Sequence, residues 1–501
     1  MKSIRTSMAK GAVWMVTFKT LERSLGLISM LVLARVLTPA DFGLVAMATS
    51  LIALLELFSA FGLDTALIQH ANAQRVHYDT AWTLNVLAGC TIALVMLALA
   101  WPASQFYREP RLTAVIAALS FGAAVQGCEN VGVVAFRKEM RFDREFRFLL
   151  TKKILAFCTT VPLALWLHNY WALVAGTIMG RVGGVTLSYI LHPFRPRLSL
   201  AAVRDLMHVS KWLVTQNILS FLKDRSADVI IGRLAGPHSL GVFSASAEIS
   251  NMPGTELVAP INRAILPAYV RLADDKPALR REYLSVMSVV ALIAVPAVAG
   301  FAVTAPFLVL LILGPKWVEA VTLIQILAFF GITQVLQSNA YSAFIAIGKP
   351  QIFVKINAIH VGILLTALST LTSMYGIRGA AWAYVITAGI MLPVNFLFIT
   401  RFLEVRTADF FSHLWRPIAA ATIMYLGVRA LGPELPTGLI PPAQAASSLI
   451  ASVCLGLVFY VSLIAILWQL SGRPDGAETS TLRQVRSLWT RTRTMLRPAD
   501  N

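Results

Sequence analysis

The sequence predicts an all-α integral membrane protein with about fourteen transmembrane helices. Hydrophobic residues make up 57% of the 501 residues, and only 14% are charged. The apolar residues gather in runs of roughly 18 to 25, the length that a helix needs to cross a bilayer. Polar or Pro/Gly-containing stretches, such as 38–41 and 348–350, separate these runs. A soluble domain of this length has no use for so much apolar surface.

The predicted spans follow the apolar runs in chain order. The first six lie at 13–34, 42–68, 80–101, 112–136, 148–167 and 170–191. The next six lie at 212–232, 241–268, 285–313, 318–347, 352–374 and 379–400, and the last two lie at 417–431 and 443–469.

The loops between the spans alternate between basic and nearly charge-free. Most of the 43 Lys and Arg residues lie in every second loop, and the stretch 137–153 after span 4 is especially rich in them. Because basic loops stay in the cytoplasm, the pattern predicts cytoplasmic termini and an even number of spans. The formal net charge of +18 is then explained by loops that face anionic headgroups. No nucleic-acid partner is expected.

The second half of the sequence repeats a pattern of the first half. Arg, Pro and Gly recur at the same spacing in 35–43, between spans 1 and 2, and in 233–241, between spans 7 and 8. Parallel repeats of this kind are typical of transporters, with the site between two lobes that move against each other. The alternative is a chance likeness between apolar helices.

The repeat predicts four parts of the chain. An N-lobe at 1–205 holds spans 1 to 6, and a C-lobe at 206–402 holds spans 7 to 12. Spans 13 and 14 follow at 403–470. The segment 471–501 is predicted to be a basic amphipathic helix on the cytoplasmic surface.

Charged residues lie inside the first predicted span of each lobe. They are Lys19, Glu22 and Arg23 in span 1, and Lys223, Asp224, Arg225 and Asp228 in span 7. Each charge at the bilayer centre costs about 2.5–3.5 kcal/mol on insertion scales. These residues must therefore pair with one another or line a hydrated cavity.

Two interpretations of these charges stay open. In the structural interpretation, Glu22 neutralises Lys19 or Arg23, and the two aspartates neutralise the bases of span 7. In the functional interpretation, Lys19, Arg23, Lys223 and Arg225 form a cationic cradle for an anionic ligand, and a phosphate or diphosphate suits Arg well. Glu22, Asp224 and Asp228 are then the candidate groups for coupling to protons or sodium.

Other polar residues in the spans are weaker candidates for function. Seven of them are expected near helix ends, where long side chains reach water: Glu56, Asp64, Glu129, Arg181, Glu248, Glu256 and Arg263. Six others offer hydrogen bonds to sugar hydroxyls, although such residues more often bond to neighbouring helices: Gln216, Asn217, Gln334, Gln337, Ser338 and Asn339.

Glycines and prolines in two spans predict local geometry. Gly176, Gly180 and Gly184, four residues apart in span 6, predict close helix packing. Pro253, Pro260 and Pro267 in span 8 each remove a helix hydrogen bond and permit bending. This bending predicts a gating hinge, although kinked membrane helices are common without gating.

Several motifs of catalysis are missing from the sequence. It has no phosphate-binding G-x-x-x-x-G-K-[ST] loop and no His/Cys cluster with metal-ligand spacing. The loops are too short for an extramembrane catalytic domain. We therefore expect no enzyme activity, no cofactor and no metal.

Four stretches resemble a known family. They are GAVW at 11–14, LARVLTPADFGL at 33–44, FGLDTALIQ at 61–69 and GIRGAAWA at 376–383. These motifs resemble the polysaccharide exporters of the Wzx type, in the subfamily for lipopolysaccharide, colanic acid and teichuronic acid export. That subfamily belongs to the multidrug/oligosaccharidyl-lipid/polysaccharide exporter superfamily.

The resemblance implies two six-helix lobes in a V-shaped arrangement, with two C-terminal helices added. It also implies a flippase that carries an undecaprenyl-diphosphate-linked oligosaccharide from the cytoplasmic to the periplasmic leaflet of the bacterial inner membrane. By position and chemistry, Lys19, Arg23, Lys223 and Arg225 would hold the diphosphate-sugar headgroup. The expected partners are this lipid-linked substrate and a coupling ion, and we expect a functional monomer. A multidrug or cation antiporter of the same superfamily and a membrane glycosyl polymerase or ligase are the alternatives.

Overall fold

The computed structural model describes residues 2–59, 63–70, 73–206, 211–434, 441–473 and 478–479, in which every regular element is a helix. In the first part of the chain the α-helices are α1 (Lys2–Val36), α2 (Pro39–Ser59), α3 (Leu63–Gln69), α4 (Arg75–Tyr107), α5 (Arg111–Gly127), α6 (Val134–Lys138), α7 (Phe142–Leu167), α8 (Trp171–Leu191) and α9 (Val203–Leu206). They continue as α10 (Lys211–Pro253), α11 (Ala259–Arg271), α12 (Lys276–Ile312), α13 (Glu319–Ala346), α14 (Pro350–Leu403), α15 (Thr407–Leu431) and α16 (Pro442–Leu470). The predicted all-α fold is confirmed.

Many of these helices have the composition of membrane spans. In the described ranges, eight helices are long and apolar enough to cross a membrane. The pair Arg111–Gly127 and Val131–Lys138, bent by 61°, is a further candidate. The helices α1 and α10 are not among the eight, since they carry the charged residues of predicted spans 1 and 7. Most of the predicted tail helix lies outside the described residues.

Helix α14 contains predicted spans 11 and 12, and α10 contains span 7 and the first part of span 8. The backbone of α10 is interrupted at Gly236 (φ 80°, ψ 178°), and that of α14 is interrupted at Gly376 (φ 60°, ψ −142°). Glycine adopts these positive φ values readily because it has no Cβ. A single glycine therefore joins span 7 to span 8, and another joins span 11 to span 12.

Predicted span 8 changes its helical form along its length. Residues Gly254–Val258 form a π-helical turn between α10 and α11. Pro253 directly precedes this turn and Pro260 follows it, and neither has an N–H for the regular helical ladder. The prolines therefore coincide with an interruption of the regular α-helix, whereas their use as a hinge stays a prediction.

The chain divides into two compact units. One contains residues 1–244 together with 312–316, and the other contains 245–311 and 317–501. These units are defined by contacts, whereas the predicted lobes are defined by the sequence repeat. The lobe bounds at 1–205, 206–402 and 403–470 therefore stay a prediction.

The segment between α8 and α9 is fixed to the start of α4. Backbone amides of this segment donate to side chains of the second and third turns of α4. The bonds are Arg197 N to Asp79 Oδ1 at 2.8 Å, Ser199 N to Thr83 Oγ1 at 3.0 Å and Ala202 N to Thr80 Oγ1 at 3.3 Å. All three accepting residues are buried, so the segment that leads out of α8 has a defined path.

The two copies of the sequence repeat contact each other within the first unit. A methyl group at Gly43 would overlap the carbonyl oxygen of Pro237, and one at Gly241 would overlap the carbonyl oxygen of Pro39. The contact is reciprocal, as a local two-fold axis requires. Glycine is required at both positions because any side chain would separate the two backbones.

We predict that Gly43→Ala and Gly241→Ala destabilise the protein, because the added methyl group has to displace backbone. The expected loss of unfolding free energy is about 1–3 kcal/mol, as for other overpacked sites. Gly389→Ala is the control, since nothing lies within 4 Å of the Cβ position there. Thermal unfolding of the purified protein in detergent measures the effect. Equal midpoints for all three variants would contradict the reciprocal contact.

Candidate functional site

The first predicted charged cluster lies on α1, which packs along α7. Lys19 Nζ donates to Glu22 Oε2 at 2.8 Å, and Lys153 Nζ of α7 lies 3.6 Å from Glu22 Oε1. The Lys19 side chain is still 60% exposed, and Arg23 is half-buried. Glu22 is therefore a counter-ion shared by two lysines on two helices.

The second predicted cluster lies on the first half of α10. Arg225 Nη1 donates to Asp228 Oδ2 at 3.1 Å. Asp228 is buried, whereas the Arg225 side chain is 44% exposed. Lys223 is half-buried and Asp224 is exposed. The pairing that the sequence left open is present for Glu22 and Asp228, and the basic groups beside them keep accessible surface.

Both clusters belong to the same unit of the fold. The pairs Lys19–Glu22 and Arg225–Asp228 each lie within one helix, and the pair Glu22–Lys153 joins α1 to α7. A meeting of the two clusters across a central axis stays a prediction, as does each of the seven proposed roles.

A separate polar cavity of about 290 Å³ lies between α2, α4 and α5. Its polar side chains come from several helices and the turn after α5. They are Glu56, Asn85, Gln126, Glu129 and Asn130. Gly89 and Gly127 also line it, and a Cβ at Gly89 would lie 2.9 Å from the Gly127 Cα. This close crossing of α4 and α5 forms part of the cavity wall.

Each carboxylate of the cavity is paired with a base from another helix. Arg181 Nη2 of α8 donates to Glu56 Oε1 at 3.2 Å. Lys152 Nζ of α7 donates to Glu129 Oε2 at 3.0 Å, and Gln126 Nε2 donates to the same oxygen at 2.8 Å. These two ion pairs contribute no net charge to the cavity.

Glycines give the two bases room to reach their partners. The Arg181 Cδ lies 3.3 Å from the Cβ position of Gly122 on α5, and the Lys152 Cε lies 2.7 Å from that of Gly184 on α8. A side chain at either glycine would crowd the base that crosses it. The ion pairs thus depend on small residues of the neighbouring helices.

The predicted close packing of span 6 is confirmed. At Gly176 a methyl group would overlap Thr160 Oγ1, and at Gly180 it would lie 3.2 Å from the Ala156 Cβ. Both contacts are with α7. Helices α7 and α8 therefore approach as closely as the glycine spacing predicts.

Amides of the second unit mainly join helices. Tyr269 Oη donates to Asn339 Oδ1 at 3.0 Å, and Asn339 Nδ2 donates to the Tyr283 carbonyl oxygen at 3.3 Å. Asn395 Nδ2 donates to Gln337 Oε1 at 2.9 Å. Of the two interpretations of Gln337 and Asn339, these contacts favour hydrogen bonding between helices.

Sequence reasoning missed the polar cavity. It singled out Glu56, Glu129 and Arg181 separately, but it gave no role to Asn85 or Gln126. The signal available was the run Gln126 to Asn130, in which an amide precedes a carboxylate by three residues at the end of an apolar run. Its partners on α7 and α8 are distant in sequence and required the tertiary structure.

Comparisons with known proteins agree with the fold and the membrane character. The family model described as "Polysaccharide biosynthesis protein" matches residues 32–322. The lipopolysaccharide biosynthesis protein WzxC of Escherichia coli (strain K12) is 25% identical over 454 residues, 89% of this chain and 90% of that protein. The succinoglycan biosynthesis transport protein ExoT of Rhizobium meliloti (strain 1021) is 22% identical over 471 residues, 90% of this chain and 92% of that protein.

Solved structures share the fold. The lipid II flippase MurJ in an inward closed conformation has a TM-score of 0.70 and 9% sequence identity, over 91% of this chain and 99% of that chain. An inward-facing multidrug resistance MATE family transporter of the MOP superfamily has a TM-score of 0.59 and 15% identity, over 77% and 96% of the two chains. The predicted superfamily fold is confirmed, and the chain is a multi-pass membrane protein.

We predict that Lys152→Met destabilises the first unit because it leaves Glu129 without its base among apolar helices. The expected loss of unfolding free energy is about 1–3 kcal/mol, below the value for a fully buried pair. The double variant Lys152→Met/Glu129→Gln removes both charges and is expected to recover most of the loss.

The control for this prediction is Lys355→Met, which removes an exposed lysine of α14. Denaturant or thermal unfolding in detergent of the wild type, Lys152→Met, Glu129→Gln and the double variant gives the four free energies of the cycle. Additive losses in the double variant would show that the Lys152–Glu129 pair contributes nothing.

Proposed function

The chain belongs to the family described as "Polysaccharide biosynthesis protein", and we propose that it is a flippase for an undecaprenyl-diphosphate-linked oligosaccharide. It moves this lipid from the cytoplasmic to the periplasmic leaflet for export of a surface polysaccharide. Relatives matched over about nine-tenths of both chains carry names of polysaccharide biosynthesis and transport, which supports this class of cargo.

The observation that carries the proposal is the presence of exposed bases on α1 and α10, the helices that hold predicted spans 1 and 7. Lys19 on α1 and Arg225 on α10 are each paired with a carboxylate and still keep exposed surface. A diphosphate carries several acceptor oxygens, and a guanidinium binds two of them at once. Lys19, Arg23, Lys223 and Arg225 thus form the proposed cradle for the diphosphate.

Alternating access moves the headgroup across the bilayer. The diphosphate and sugars enter a cavity from the cytoplasmic side while the polyprenyl chain stays in the lipid. Outward movement of negative charge follows an inside-negative potential, which contributes about 2.3 kcal/mol per charge per 100 mV across the full field. A proton or sodium ion exchanged through Glu22, Asp224 or Asp228 adds to this driving force.

The proposed location is the bacterial inner membrane, with both termini in the cytoplasm and the monomer as the working unit. The basic loops support this orientation, because Lys and Arg accumulate on the cytoplasmic side. The protein has no catalytic role in this proposal and requires no cofactor.

A multidrug antiporter with the same fold is the second candidate function. Organic cations favour an acidic cavity, whereas α1 and α10 each carry two bases in the predicted cradle. Drug tolerance of a deletion strain separates the two functions. A glycosyl polymerase or ligase would transfer sugars in purified form, and we expect no such transfer.

We predict that Arg23→Ala and Arg225→Ala abolish export of the surface polysaccharide while membrane insertion is retained. Loss of a charge-assisted contact to the diphosphate costs about 1.5–3 kcal/mol per hydrogen bond, which corresponds to at least a ten-fold fall in transport. Surface polysaccharide per amount of membrane-inserted protein is the measurement. Arg401→Ala, at an exposed position near the end of α14, is the control. Full polymer output from both cradle variants would refute the cradle.

A second prediction concerns the coupling ion. Asp228 is the buried acid of the three candidates, so Asp228→Asn is expected to remove the dependence of lipid translocation on a proton or sodium gradient. Fluorescent undecaprenyl-diphosphate glycan in proteoliposomes reports translocation with and without each gradient. Asp274 is exposed and lies outside the helices, so the Asp274→Asn variant should behave as the wild type. An Asp228→Asn variant with unchanged gradient dependence would exclude Asp228 as the coupling group.

A further inference from the structure

The polar cavity between α2, α4 and α5 differs in its electrostatics from the two charged clusters on α1 and α10. Glu56 is paired with Arg181, and Glu129 is paired with Lys152. These two ion pairs, at 3.2 Å and 3.0 Å, are neutral overall and so give neither an anion nor a cation a net attraction. The cavity is polar but balanced, which favours a neutral, hydrogen-bonding ligand.

The cavity lining offers both donors and acceptors. Asn85, Gln126 and Asn130 supply amide groups, and the two carboxylates supply acceptor oxygens. Carboxylates that are already ion-paired keep further lone pairs for hydroxyl donors. Beside Glu56, Arg181 Nη1 is buried and has no hydrogen-bond partner among the residues that the structure describes. The Arg181 guanidinium therefore keeps one strong hydrogen-bond donor beside Glu56, which lines the cavity.

The size of the cavity limits what it can hold. Its volume of about 290 Å³ lies at the lower end of ligand pockets, which run from about 300 to 1,000 Å³. Such a space fits a single small ring. Gly89 and Gly127, where α4 and α5 cross closely, contribute backbone without side chains to the cavity lining.

We propose that this cavity is a subsite for one neutral sugar ring of the translocated headgroup. The inference rests on the proposed function, since it assigns a place to the sugar while the cradle residues hold the diphosphate. Vicinal hydroxyls bind to paired amide and carboxylate groups through several hydrogen bonds at once, and each group left unpaired by a wrong ligand is costly. The cavity therefore contributes to recognition of the sugar and not of the lipid.

The test compares two lipids on the purified full-length protein in detergent. One probe is the undecaprenyl-diphosphate-linked oligosaccharide fraction extracted from membranes of the source cells, and the other is undecaprenyl diphosphate without sugar. Ala88→Phe fills the cavity, because Ala88 lines it. Gln126→Met keeps the side-chain length and removes the amide. Ala98→Phe is the matched control, at an exposed position of the same helix.

We expect Ala88→Phe and Gln126→Met each to weaken binding of the sugar-bearing lipid by about ten-fold or more. Binding of undecaprenyl diphosphate should stay at the wild-type value in both variants. Ala98→Phe should bind both lipids as the wild type does. Arg225→Ala should weaken binding of both lipids, because it acts on the diphosphate. Unchanged unfolding midpoints show that each variant is folded.

Three outcomes would overturn the assignment in distinguishable ways. Wild-type affinity of both cavity variants for the sugar-bearing lipid refutes the subsite and leaves the flippase proposal intact. A wild-type protein that binds neither lipid refutes the flippase proposal together with the subsite. Stabilisation by sodium or by low pH that Gln126→Met abolishes, with lipid binding unchanged, identifies a cation site and refutes the sugar subsite.

Discussion

Charged side chains inside an apolar helix bundle must find a partner on another helix or an aqueous surface, and this constraint organises the first unit. An unpaired charge at the bilayer centre costs about 2.5–3.5 kcal/mol. Glu22 is shared by Lys19 and Lys153, Glu56 is paired with Arg181, and Glu129 is paired with Lys152. Three of these four contacts join different elements: they link α1 to α7, α2 to α8, and the turn after α5 to α7.

Glycine is the structural condition for these contacts. Gly122 and Gly184 leave space for the stems of Arg181 and Lys152, and the aliphatic part of each base fills that space. The same principle joins the two copies of the sequence repeat, where Gly43 and Gly241 allow backbones to touch. Because no hydrophobic force drives helices together in lipid, small residues and polar contacts supply the association.

Most of the spans could be predicted from the sequence because a long apolar run is the main condition for a helix to cross a bilayer. The breaks at Gly236 and Gly376 could be located as glycines in short connections, but their positive φ values depend on the packing of both flanking segments. The sequence could not identify Lys153 as the partner of Glu22 on α7, since Lys153 is one of many bases in a long basic stretch. The cavity was missed for the same reason, because its polar groups are brought together only by the approach of α4 to α5.

In recognition of an anionic glycolipid, the accessible bases and the balanced cavity have different tasks. Net positive charge attracts any phosphate and therefore gives affinity without discrimination between sugars. Groups that are already neutralised give little attraction, but they penalise a ligand that leaves their hydrogen bonds unmet. Because Glu56 and Glu129 are held by bases of other helices, their carboxylates stay fixed in position and do not collapse onto a passing cation. The ion pairs therefore do more than offset the burial of charge: they convert two acids into a rigid, neutral hydrogen-bonding surface.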